Sequence, residues 1–122
     1  MDEYNSYEAL ISENIGFDYL VQDLPYERDT LEEIVALMTD VLTTKSGTIR
    51  ISGDDKPVEV IKSRFMKLNS EHISYVLQGL KDNPVKVRNI KAYLLASLYN
   101  APTTISNYYS ALVNHDMANG LI

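Results

Sequence analysis

The sequence predicts a mainly α protein: a compact bundle of about seven short helices with a small β-hairpin inserted around residues 48–57. Two observations carry the helices and a third carries the hairpin. Apolar residues recur every three or four positions through most of the chain, which lays them along single helix faces. Gly16, Pro25, Asn69, Pro84, Pro102 and Gly120 interrupt those stripes at short intervals, so each helix is short. Between Thr48 and Ser52 the pattern changes to polar–apolar alternation with β-branched residues, the mark of a half-buried strand.

Taken in order, Tyr7, Leu10, Ile11 and Ile15 sketch a first helix broken near Gly16. Phe17, Leu20, Val21 and Leu24 sketch a second, stopped by Pro25. Leu31, Ile34, Val35, Met38, Val41 and Leu42 form the cleanest amphipathic stripe of the first half. Asp29 with Glu32, or Thr30 with Glu33, has capping-box spacing at its start. Most of the acids Glu27, Asp29, Glu32, Glu33 and Asp40 crowd toward its N-terminal end, where the helix dipole favours them.

In the hairpin, residues 48–52 are the outgoing strand, Gly53-Asp54-Asp55 the turn and Lys56-Pro57 a brief return. Pro57 also suits the first turn of the next helix. A two-stranded ribbon is not stable alone, so it is expected to lie on a helix. Val58, Ile61, Phe65 and Leu68 mark a helix ending at Asn69. Ser70 with Glu71 opens another, with Ile73, Val76, Leu77 and Leu80 inward, closed by Asp82-Asn83-Pro84.

Val87, Ile90, Leu94 and Leu98 share one face of the next helix. Asn100-Ala101-Pro102 is expected to end it, because proline has no amide hydrogen and pushes Ala101 out of the helical region. Thr103 or Thr104 then caps a last helix with Ile105, Tyr108, Tyr109 and Leu112 inward. Residues 1–122 are read as a single helical domain, of a size that buries roughly two-thirds of its unfolded surface.

The absence of cysteine rules out disulfides and thiolate chemistry and suits a reducing cytoplasm. No run approaches the roughly 18 apolar residues of a membrane span, and no basic-then-apolar leader is seen. The expected setting is the cytoplasm, away from membranes.

The charge is unevenly placed. Residues 1–44 hold eleven of the 17 acids against one base, Arg28, whereas the remainder holds ten bases against six acids. Lys62, Arg64 and Lys67 form one basic group and Lys81, Lys86, Arg88 and Lys91 another. The asymmetry has two readings: a nucleic-acid face beside an acidic one, or two halves that attract each other in a solvated, mixed-charge surface. The tyrosines, nine in all, have the same two readings. Tyr93, Tyr99, Tyr108 and Tyr109 near Lys86, Arg88 and Lys91 can stack on bases, or pack with their hydroxyls at the rim.

Chemistry-bearing patterns are missing. His72 and His115, the only histidines, lack the spacing of two metal ligands on one helix face. No serine lies in a nucleophile elbow and the five glycines form no phosphate cradle. The expectation is a protein that is not an enzyme, with no catalytic residue, cofactor or metal.

Longer strings resemble a known family. NIKAYLLASLYNAP (Asn89–Pro102), followed by Thr104, Tyr108-Tyr109 and Val113-Asn114-His115-Asp116, is similar to the C-terminal domain of replication initiator protein A, carried by plasmids and integrative elements of Firmicutes. YEALISENI (Tyr7–Ile15), IRISGDD (Ile49–Asp55) and VIKSRFMKLNSEHISYVLQGL (Val60–Leu80) fit the same family. The resemblance implies the C-terminal fragment of a longer initiator, whose N-terminal domain recognises the origin while this part engages host replication proteins.

The leading expectation is therefore a non-catalytic accessory domain that docks a helicase loader or initiator, through the acidic third or the basic-tyrosine face. The alternative is direct binding of single- or double-stranded DNA by Lys62, Arg64, Lys67, Lys86, Arg88 and Lys91 with Tyr93, Tyr99, Tyr108 and Tyr109. A second alternative is a homodimer formed through Tyr108, Tyr109 and Leu112.

Overall fold

The computed structural model describes the backbone of residues 2–82 and 89–118, and the side chains of those up to residue 106. Among the described residues are six α-helices and one two-stranded antiparallel sheet, a compact, mainly α fold. The helices are α1 (Asp2–Ile15), α2 (Phe17–Asp23), α3 (Arg28–Thr43), α4 (Val58–Phe65), α5 (Ser70–Asp82) and α6 (Ile90–Ala118). The strands β1 (Thr48–Ile51) and β2 (Asp54–Pro57) lie between α3 and α4. Helix α1 packs along α3 and α5 along α6, while α4 bridges α3 and α6. The ribbon touches α4 and α6, the support that a lone hairpin requires.

The stripes converge on one core. Ile11, Ile15, Leu20, Leu31, Ile34 and Met38 from the first three helices are fully buried against Ile61, Phe65, Ile73 and Leu98. Burying each such side chain contributes roughly 1.5–3 kcal/mol before chain entropy is counted. Two expected inward positions fall at the rim instead: Leu10 is 37% exposed and Ile90 41%.

Element boundaries are set by local chemistry, and several differ from the sequence reading. Gly16 sits in the left-handed region at φ 66°, letting α1 turn into α2. A side chain there would also meet Ser70 at the start of α5, 3.7 Å away. Helix α3 begins without the expected capping box. Pro25–Glu27 forms a 3-10 turn that runs directly into Arg28, and no side chain caps the helix. The hairpin turn is Ser52-Gly53, not Gly53-Asp54-Asp55. Ser52 (φ 53°) and Gly53 (φ 86°) both take the positive φ that a two-residue loop demands, so Asp54 already pairs with Ile51. Pro57 ends β2 opposite Thr48 and precedes the first turn of α4 instead of entering it. Helix α4 stops at Phe65, and Leu68 reaches the core from the loop.

The largest correction concerns Pro102. Instead of ending a helix it lies inside α6, which continues to Ala118, so the two expected helices are one. A proline in mid-helix removes one amide bond and costs about 3 kcal/mol. Burial on both sides outweighs that cost, because Leu98, Ala101 and Ile105 are all in the core. The guanidinium of Arg64 also reaches the break, donating from Nη1 to the Tyr99 carbonyl at 2.9 Å. That carbonyl is the neighbour of the Leu98 oxygen left without an amide by Pro102.

Candidate docking surface

The basic residues singled out in the sequence have separate fates. Lys62 on α4 lies 3.7 Å from Glu59, one turn earlier. Arg64 is held within the fold, its guanidinium carbon 4.1 Å from the Tyr99 ring centroid as well as hydrogen-bonded to that residue's carbonyl. Lys56 approaches the same ring at 5.8 Å, so two cations serve Tyr99, which is itself buried. Lys67 is exposed after α4, and Lys91 is exposed on the first turn of α6. Lys86 and Arg88 lie outside the described residues, as do the side chains of Tyr108, Tyr109 and Leu112.

Tyr93 lines a cleft of about 530 Å³ between α5 and α6 with Tyr75, Gly79, Asp82 and Thr104. A Cβ at position 79 would stand 3.6 Å from the Tyr93 hydroxyl, an ordinary van der Waals contact. The Asp82 carboxylate accepts a hydrogen bond from Gln78 at 2.9 Å. Tyr99 and Arg64 are thus brought together, whereas Tyr93 belongs to a different cleft.

The acids behave oppositely to the bases. Glu27 meets Lys81 at 3.2 Å and Glu32 meets Arg28 at 3.6 Å. The other acids of α1–α3, namely Asp2, Glu3, Glu8, Glu13, Asp18, Asp23, Asp29, Glu33 and Asp40, are exposed and hold no ion pair among the described residues. Partial burial raises the Tyr4 phenol above its ordinary pKa, with the nearby carboxylates Asp40 and Glu8 adding to the effect. Among the nine bases with described side chains, by contrast, Arg28, Arg50, Lys56, Lys62 and Lys81 are ion-paired and Arg64 is hydrogen-bonded.

At the acidic face, α3 and α6 border a hollow of about 300 Å³, lined by Glu33, Ala36, Leu37, Asp40, Ile90 and Lys91. No motif marks this hollow in the sequence; its one trace is Ile90, an apolar residue on the inward stripe of α6 that is 41% exposed. His72 has a structural role that the sequence reading missed. Its Nδ1 accepts from the Asn69 amide at 3.1 Å, while Asn69 Oδ1 accepts from the amides of Glu71 and His72, a reciprocal cap for α5. Among the described residues no cluster of three or more His, Asp or Glu side chains is arranged to hold a metal, and no helix is long and apolar enough to cross a membrane.

The model of DUF6017, a family of unknown function, matches residues 1–120, and the chain belongs to that family. No curated protein and no solved structure matches it.

Proposed function

We propose that this chain is a non-catalytic docking domain of a plasmid-type replication initiator, binding a host replication protein through the acidic face of α1–α3. The initiator context rests on the string resemblance over Tyr7–Ile15, Val60–Leu80 and Asn89–Pro102. One observation supports docking over DNA binding: among the described residues the exposed acids of α1–α3 mostly hold no ion pair, while most bases have an intramolecular ion-pair or hydrogen-bond partner. A surface with unsatisfied carboxylates repels a phosphate backbone and steers a basic protein partner.

The test pairs two titrations of the whole chain at two salt concentrations, one with labelled single- and double-stranded DNA and one with purified helicase loader and initiator of a host. The expected result is a complex with one of the proteins and a flat DNA titration. Reversing Asp18, Asp23 and Asp29 to lysine should weaken that complex, chiefly in its association rate. Salt-sensitive micromolar DNA binding with no protein complex overturns the proposal.

A further inference from the structure

The α3–α6 hollow is one of the places where the acidic face has a shape as well as a charge. It adjoins a second hollow of about 220 Å³, and the two share Leu37, Asp40 and Lys91, forming one trough. Its α3 wall follows a helical stripe from Glu33 through Leu37 and Asp40 and ends at Thr44, the residue just past the helix. At the rise of an α-helix that wall is about 16 Å long, the length of roughly three turns. The floor is apolar, with Leu37, Leu94 and Leu95 buried beneath it and Ile90 41% exposed at its edge. Glu33 and Asp40 stand on the α3 rim two turns apart, about 10 Å along the axis. Neither has a cationic partner among the described residues, and Lys91 on the α6 wall has no acidic one.

We infer that this trough seats an amphipathic α-helix of the partner protein, with apolar anchors along one stripe and Lys or Arg at two positions seven residues apart. A helix lying along α3 advances at the same rise, so its cations must repeat at the spacing of the two carboxylates. An extended segment covers the same distance in about three residues, whose side chains point to opposite faces, so two cations at that spacing cannot both face the rim. An acidic residue on the opposite flank of the incoming helix meets Lys91, which fixes its rotation. The inference rests on the docking reading and deepens it by stating the chemistry of the partner.

The absence of cysteine makes the test direct. Ile90→Cys places one attachment point at the trough edge, and Val60→Cys, 43% exposed on α4, places a control elsewhere. The probe is a fluorescent helical peptide of about four turns with leucine anchors and two lysines seven apart, beside a twin carrying glutamates in their place. Anisotropy with the whole chain, at unchanged circular dichroism, should show the lysine peptide binding at least about fivefold tighter than its twin. The double variant Glu33→Lys/Asp40→Lys should invert that preference. A bulky maleimide on Ile90→Cys should abolish binding, and the same label on Val60→Cys should leave it intact. Equal affinity for the two peptides, no binding of either, or binding that survives the Ile90→Cys label overturns the inference. A host replication protein that still binds the Ile90→Cys-labelled chain removes the trough but leaves the docking reading in place.

Discussion

Two prolines follow apolar helical stripes in this chain, and the fold treats them in opposite ways. Pro25 ends the run of α2: Leu24 turns away from helical angles and Pro25 opens an exposed 3-10 turn. Pro102 carries the same covalent handicap, yet α6 runs straight through it. What differs is the surroundings. Around Pro25 the neighbouring Tyr26 is 98% exposed, so little is lost when the chain bends there. Around Pro102 the residues one turn on either side are in the core, and breaking the helix would expose them. A proline marks where a helix is weakest, and burial decides whether it stops there.

The strongest way to break this contrast is to remove the burial. Leu98→Ala, at a fully buried position one turn before Pro102, should cost about 2–5 kcal/mol in urea denaturation. A loss under about 1 kcal/mol would mean that packing is not what carries α6 across the proline. Next in size is Arg64→Met, which withdraws the donor from the Tyr99 carbonyl. It should cost about 1–3 kcal/mol, with Arg64→Lys recovering only part because lysine lacks the planar fork. No loss would return Arg64 to the pool of residues available for ligands. The smallest effect sharpens the comparison from the proline side. Pro102→Ala restores a missing amide bond but loosens the unfolded chain, for a net gain of about 1–2 kcal/mol. Pro25→Ala, with no such bond to regain but the same loosening of the unfolded chain, should cost about 0.4–1 kcal/mol. Equal responses at the two sites would erase the distinction.

The charged residues offer the same lesson for the candidate site. Composition reveals that acids gather in the first third and bases in the remainder. It does not reveal that Lys81 and Arg64 find partners on distant elements, while Glu33 and Asp40 hold no ion pair among the described residues. Pairing depends on which side chains meet after helices separated in sequence pack together, as Lys81 on α5 does with Glu27 ahead of α3. Such a pair has no local signature.

Local features were legible where one residue's chemistry settles the matter. The break at Gly16, the alternation of the hairpin and the buried stripes of α3 and α5 each follow from side-chain size, branching or backbone freedom. Caps were less legible, since Asn69 competes with Ser70 and Glu71 as the start of α5. Only its pairing with His72 shows which one acts.

The periodicity of apolar residues therefore determined, without any structure, that the chain is a helical bundle with one inserted hairpin, because a 3.6-residue repeat and a two-residue repeat are properties of the string. The continuity of α6, the sequestration of Arg64 by Tyr99 and the open trough between α3 and α6 were decided only in three dimensions. Each depends on how much surface distant segments cover in one another, and that quantity does not exist until they meet.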